Sequence, residues 1–439
     1  MPAPGPSRCA ELEPQSHAES VRHDALTTAT ALADALADPA VLASTPNGLE
    51  LRRHGPGRPW PQALATGAAG IALLHIERAR SGHGEWAIAH QWVQAACVDD
   101  LTAAANASLY MGVPAIAFML NAAARPEPGY QHALQRLDEA VISLTRRRLD
   151  AAHTRINRGE YPHLKEFDLI RGLTGLGVYH LRRHPDHPIT TQTLRYLARL
   201  TQPGDVPGPH PPWWTPVAPN GDHVPEYPHG HGNLGASHGI SAPLALLSVA
   251  MLAGMPVPAG REAIERLCSW TDQLLQHDRT GPWWPGLLDH DQADAGSAAS
   301  FPRPRPSWCY GVAGTARAQQ LAALALGDVH RQSLAETAMA TTLQDTTQIE
   351  RITELGLCHG LAGLLRAAGR MASDERTSQI TDQIPALTRR ILLRNPNSRT
   401  APIADPSLLD GAAGLALALH AVGTSTHPLT EWDAILAVA

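Results

Sequence analysis

The sequence predicts an all-α fold, a closed double-layered ring (barrel) of seven inner and seven outer helices. Three observations predict it. A short unit, Gly-x-x-(Gly/Ala), occurs seven times along the 439 residues. Each copy leads into an apolar, alanine-rich run with helical spacing. A more polar segment separates each run from the next copy, as an outer layer requires.

The copies are Gly67-Ala-Ala-Gly70, Gly112-Val-Pro-Ala115, Gly172-Leu-Thr-Gly175, Gly239-Ile-Ser-Ala242, Gly311-Val-Ala-Gly314, Gly360-Leu-Ala-Gly363 and Gly411-Ala-Ala-Gly414. Their first glycines are 45, 60, 67, 72, 49 and 51 residues apart. About 45–50 residues accommodate two helices and two loops, since globular helices run about 8–20 residues. Ile71-Ala-Leu-Leu-His-Ile-Glu-Arg-Ala and Leu364-Leu-Arg-Ala-Ala-Gly-Arg-Met place apolar residues three and four apart, the inner-helix pattern. A glycine costs a helix about 1 kcal/mol against alanine, so it needs a reason. Close approach of backbones where inner helices converge on a narrow axis supplies one. Polar stretches such as Arg376 to Arg390 suit the outer layer. An open helical solenoid with the same repeat is the alternative architecture. The repeat makes residues 25–439 one domain. Residues 1–24 are expected to be disordered, because this Pro-, Ser-, Glu- and Ala-rich start lacks periodicity.

A net charge of -6 carries no nucleic-acid signature. Among 35 basic residues Lys165 is the one lysine. Arginine groups at Arg146–Arg148, Arg182–Arg183 and Arg389–Arg390 read as solvated helix faces, with docking of an acidic peptide as the minor reading. Five scattered cysteines are too few for a disulfide framework, and the chain starts without a basic-then-apolar signal. A reducing cytoplasm fits. Ile240 to Val257 is uncharged but contains Pro243, Gly254 and Pro256. It reads as a packed inner helix rather than a membrane span. Two long loops, Thr201–Asn233 and Asp278–Ser307, carry the pairs Trp213-Trp214 and Trp283-Trp284. Packing of these loops onto the body is the first reading and a peptide groove the second. His229 and His231 read as loop residues despite a spacing compatible with metal.

The residues just ahead of each Gly-led helix hold the chemistry. Copy three offers Asp168, copy four Ser237-His238, copy five Trp308-Cys309-Tyr310, copy six Cys358-His359 and copy seven Leu409-Asp410. If repeats share one geometry, these slots lie side by side at one end. Cys309, Cys358 and His359 then form a soft donor set that favours zinc, with a fourth position open. Cys97 and Cys268 lack a histidine partner and read as small buried hydrophobes. His238 heads an inner helix in the same layer, which points to acid/base work. Asp168 either orients His238 or caps its own helix. Arg305, four residues before Cys309, is either a site residue or a solvated loop arginine.

The motifs Asn233-Leu-Gly-Ala-Ser-His-Gly-Ile240, Trp308-Cys-Tyr-Gly311 and Cys358-His-Gly360 together resemble the lanthionine synthetase C-like family, the lanthipeptide cyclases. The resemblance implies a double-layered α/α toroid with Zn2+ at one end, held by Cys309, Cys358 and His359. It implies catalytic roles for His238, Asp168 and Arg305. The implied reaction is addition of a precursor-peptide cysteine thiol to dehydroalanine or dehydrobutyrine, giving a lanthionine or methyllanthionine thioether ring. The implied partners are a dehydrated precursor peptide, a separate dehydratase and a transporter-associated complex. The implied setting is cytoplasmic, or peripheral to the membrane through that complex. Copies two and four depart from the pattern in lacking the second glycine, a modest packing change. The repeat spacings leave about 10–25 residues beyond a two-helix unit, so no inserted peptide-binding domain is expected. Three other functions stand beside the cyclase: an enzyme or binder acting on glutathione or another small thiol, a non-catalytic peptide scaffold with structural zinc, and a zinc prenyltransferase or terpene cyclase helical ring, a class that lacks the Cys-His-Gly and Trp-Cys-Tyr-Gly pairing.

Overall fold

Every Gly-led run becomes a helix, and every polar segment between runs supplies another. The structure, a computed structural model, describes residues 12–44, 60–124, 128–295, 299–395 and 403–439. In chain order the long helices are α1 (Leu12–Ala35), α2 (Ala68–Arg80), α3 (Trp86–Ala96), α4 (Val113–Ala124), α5 (Gln131–Asn157), α6 (Leu173–Arg183) and α7 (Pro188–Leu200). They continue as α8 (Ser241–Leu252), α9 (Gly260–Gln273), α10 (Val312–Leu326), α11 (Val329–Gln344), α12 (Leu361–Asp374), α13 (Ile384–Arg394) and α14 (Ala412–Thr424).

The even-numbered helices are the seven Gly-led runs and form the inner layer. Each packs on the next, and α14 packs back on α2, so the ring is closed and the open solenoid is excluded. The inner helices are buried nearly all round: twelve of the thirteen residues of α2 are buried. The odd-numbered helices form the outer layer. In α7, Ile189, Leu194, Tyr196 and Leu197 face the core while polar residues face out. The seventh outer place is taken by α1, which packs along α14 and α13 and so joins the start of the chain to its last repeat. That helix crosses the boundary read at residue 25: Val21 is already buried against the body. Residues 1–11, including Cys9, lie outside the described residues.

The second glycine of the repeat has a more local reason than the one the sequence suggests. A Cβ on Gly70, Gly175, Gly314, Gly363 or Gly414 would collide with the carbonyl oxygen of Leu64, Leu169, Trp308, Leu357 or Leu408 respectively, each six residues earlier. The loop ahead of each inner helix folds back over that helix's own first turn, and only glycine leaves room for it. Copy two uses another loop geometry, with Gly112 at a left-handed φ of +72°; in copy four the Ser241 hydroxyl bonds the Leu234 carbonyl as Thr174 bonds that of Phe167 in copy three.

The axis is not filled by inner helices meeting one another. Residues 428–439 run into the ring and plug it, with a 3-10 helix at Trp432–Leu436. Side chains from around the ring hold this segment. Tyr110 Oη donates to Ile435 O (2.7 Å), Trp308 Nε1 to Leu436 O (2.8 Å) and Arg317 Nε to Val438 O (2.8 Å). The Leu429 and Thr430 amides donate to the Glu77 carboxylate at 2.9 and 2.8 Å. Asp433, fully buried, accepts from Arg366 Nε (2.8 Å) and Arg370 Nε (2.7 Å). Burial would raise its carboxyl, but the two guanidiniums outweigh burial and hold it well below the usual carboxylate range.

The four strands are short. β1 (Gly232–Asn233) pairs antiparallel with β4 (Leu287–Leu288), and β2 (Gln276–Asp278) with β3 (Gly281–Trp283). The first pair ties the two long loops together. Their tryptophans Trp213, Trp214, Trp283 and Trp284 are all buried, as packing rather than groove-lining residues. Two arginine groups are clamps more than solvated faces. Arg148 Nη2 donates to the carbonyls of Ala105 and Ala107, and Arg183 pairs with Asp138 at 2.9 Å. No helix among the described residues is long and apolar enough to cross a membrane.

Candidate metal centre and active site

The loops ahead of the inner helices are stitched edge to edge at one end of the ring. Leu64 N donates to Tyr110 O, Leu169 N to Ser237 O, Ala236 N to Cys309 O, Cys309 N to Cys358 O, Leu357 N to Leu409 O and Leu408 N to Ala65 O. From copy three round to copy two, each slot residue therefore sits beside its counterpart in the next copy. This is what turns a 49-residue separation between Cys309 and Cys358 into contact.

Cys309 is buried, while Cys358 and His359 are half-buried. Their two Sγ atoms and one imidazole nitrogen lie within 4.8 Å of one another, and Cys309 Sγ is 3.0 Å from His359 Nδ1. Tetrahedral zinc with sulfur at about 2.3 Å and nitrogen at about 2.0 Å keeps its donors within about 4 Å of one another. The donor set and its span therefore fit such an ion, with small adjustments. The hydrogen bond from Cys358, then that from His359, holds the Cys309 thiol far below its ordinary range. The same bond to Cys309 raises Cys358 and His359. A site that already favours thiolate beside imidazole is ready for a cation.

His238 stands on the copy-four loop, hydrogen-bonded through its neighbours to the Cys309 carbonyl. Its Nδ1 donates to Asp168 Oδ2 at 2.6 Å. Asp168 is buried, and its other oxygen accepts from the Arg171 amide at 2.6 Å. Asp168 thus closes the turn ahead of α6 and holds the histidine ring, but it does not cap that helix, whose N-cap is Gly172 with no side-chain bond. With Nδ1 donating, the neutral ring carries its one in-plane lone pair on Nε2, and the ring is partly exposed. Arg305 is paired with Glu354 at 3.1 Å, and both side chains are about half-exposed. Its positive charge reaches Cys358 and His359.

Three neighbours were not singled out from the sequence. The Tyr310 hydroxyl interacts with Asn233 and Ser237, and burial raises its pKa. Asp410 faces His359 and Cys309, and burial raises its carboxyl. Glu354 holds Arg305. Tyr310 and Asp410 occupy slots of the repeat, so their position was readable; Glu354 precedes its slot and gave no signal. Of the other cysteines, Cys268 is buried, with its thiol pushed up to about 12 by burial, and Cys97 is exposed. His231 is buried with Nδ1 against the Val217 carbonyl at 2.7 Å. An open cavity of about 640 Å3 lies among the loops of copies one to three, lined by Thr66, Tyr110, Met111, Arg148, Glu166 and Arg171.

Residues 58–437 match a family model described as lanthionine synthetase C-like protein. The nisin biosynthesis protein NisC of Lactococcus lactis subsp. lactis is 21% identical over 262 residues, 59% of this chain. The match spans 60% of that relative's length. The solved structure of nisin cyclase has a TM-score of 0.71 at 18% identity and covers 89% of this chain and 95% of its own, a likeness of fold.

Proposed function

Because the chain belongs to the lanthionine synthetase C-like family, we propose that it is a zinc-dependent lanthipeptide cyclase. The reading rests above all on one observation: two thiols and an imidazole from adjacent repeats converge beside a carboxylate-oriented histidine. Three protein donors are the number that catalytic zinc sites take, against four in structural ones. That favours the cyclase over a scaffold with structural zinc. Cys309, Cys358 and His359 would hold the ion. When bound, it would supply Lewis acidity that lowers the pKa of an incoming substrate thiol.

The remaining chemistry belongs to the chain's own side chains. The substrate is a precursor peptide whose serine or threonine has already been dehydrated, by a separate enzyme. Its cysteine sulfur adds to the β-carbon of dehydroalanine or dehydrobutyrine; a C–S bond forms and the C=C π bond is lost. The electron pair moves toward the neighbouring carbonyl, and the α-carbon takes up a proton. His238 moves that proton through Nε2, since Asp168 fixes its Nδ1. Arg305 offers positive charge to the developing oxyanion. The sulfur's proton leaves and another arrives, so product and substrate have the same mass.

The test is a dehydrated peptide containing one cysteine, incubated with protein of measured zinc content. Loss of the alkylatable thiol without mass change, faster than in protein-free buffer, is the expected result. An unchanged rate of thiol loss with fully zinc-loaded protein sinks the proposal.

A further inference from the structure

A second set of donors lies away from the cysteines, in the two long loops. His210 belongs to the first loop, and His290 and Asp294 to the second. One donor atom from each lies within 4.8 Å of the others. His210 Nε2 is 2.8 Å from His290 Nδ1, and Asp294 Oδ2 is 3.5 Å from the other ring nitrogen, His290 Nε2, so an ion takes one of the two His290 nitrogens and the third donor stays within 4.8 Å. His290 and Asp294 sit four apart on the helix His290–Ala295, the spacing that puts two side chains on one face.

The cluster is built rather than accidental. Trp214, nearly fully buried, stacks on His210 at 3.9 Å between centroids and 13° between planes, fixing the ring. The β1–β4 pairing holds the two loops in register, two residues before His290. The ring of His229 lies 4.8 Å from that of His290 and stands nearest as a fourth donor. Two neutral imidazoles at hydrogen-bond distance share one proton between the two facing nitrogens, and a divalent cation can take that proton's place with both lone pairs as ligands. A tetrahedral ion with bonds of about 2.0–2.1 Å to nitrogen sets donors about 3.3 Å apart, so the imidazoles need to part by only about half an ångström.

We propose that His210, His290 and Asp294 form a second site for a divalent transition-metal ion, zinc first, which clasps the two long loops. The donors contain nitrogen and oxygen without sulfur, which suits zinc, cobalt or nickel and disfavours calcium and magnesium. The clasp reaches the mouth through the loops themselves. Leu234 N donates to Gly286 O at 2.9 Å, and a Cβ on Gly286 would press on Tyr310. The ion would set how firmly the backing of the mouth is held, without touching the reacting atoms.

The experiment is a titration of metal-depleted full-length protein with Co2+, followed by absorption, alongside zinc counting by mass spectrometry. Two equivalents are expected: one with a sulfur-to-cobalt charge-transfer band, one with d–d bands alone. His290→Ala and His210→Ala each keep the sulfur band and drop to one equivalent. Cys309→Ala keeps the other equivalent without the sulfur band, so failure of the cysteine site and failure of the clasp read out separately. The retained sulfur band reports that the histidine variants are folded. If wild-type protein binds one equivalent and that one carries the sulfur band, or if both histidine variants still bind two, the clasp is overturned.

Discussion

The mouth of the ring and the plug in its axis solve opposite problems with the same residue types. At the mouth, His238, Arg305, Cys358 and His359 keep part of their surface open above the buried Asp168 and Cys309. In the plug, Asp433 is fully enclosed and satisfied by two arginines, and the segment around it is held by hydrogen bonds from opposite sides of the ring. A half-open ion pair leaves charge for a ligand; a sealed one leaves none and ties the inner wall together. The comparison assigns chemistry to one region and cohesion to the other, and variants in each should fail in different assays.

The largest expected effect is at the mouth. Cys309→Ala and Cys358→Ala should lose the sulfur-ligated metal and fall to the uncatalysed rate of thiol addition, while the folded chain survives. Cys309→Ala turning over normally with no sulfur-ligated metal would remove chemistry from this region altogether. Next comes His238→Ala. It should keep the metal and lose about 10²–10⁴-fold in rate, the usual contribution of a positioned acid or base. Asp168→Asn should lose less and shift the rate-limiting ionisation in the pH–rate profile, because it alters orientation and charge rather than the proton carrier. Metal loss in His238→Ala would instead make that histidine a ligand.

The plug should answer in stability. Asp433→Ala strands Arg366 and Arg370 in the interior and should cost about 3–5 kcal/mol, measured by denaturant unfolding. Metal content and rate per folded molecule should stay near wild type. A stable variant with reduced turnover would blur the division between the two regions. The strain within the plug supports the stability reading. Glu431 and Ala437 take left-handed φ values of 55° and 52°, which non-glycine residues adopt only when surrounding contacts compensate.

The two regions also differ in how legible they are. The mouth could be read because the repeat carries its own coordinates. Gly311 and Gly360 mark equivalent places, so Cys309 and Cys358 follow as neighbours. His238 and Asp168 enter the same layer by the same count. The plug has no repeat to register it; Trp432-Asp433 reads as an ordinary ending, and its burial depends on a ring that must first close. The His210–His290–Asp294 cluster was hidden for a related reason. Its members belong to loops whose pairing depends on β1 and β4, two residues each, too short to leave a periodic signal. Seven outer helices were expected, but the first half of the one at the start of the chain was read as disorder, because its composition there resembles disorder.

A smaller effect sharpens the contrast from inside the ring wall. His75, His180 and His420 lie on α2, α6 and α14, buried, each with Nε2 against an oxygen: the Leu36 carbonyl at 2.9 Å, Thr145 Oγ1 at 2.8 Å and Ser81 Oγ at 3.0 Å. Burial, with help from nearby positive groups, lowers them from the ordinary 6.5 to about 4, about 3 and about 4. These folded values are below the unfolded one, so the unfolded chain takes up protons first as pH falls. Their contribution to stability is complete above about pH 6.5 and is lost progressively as pH drops toward 4. Thermal midpoints should therefore hold steady from pH 8 to 7 and decline by several degrees by pH 5. His75→Gln can still donate to the Leu36 carbonyl and carries no titrating ring, so its decline should be shallower.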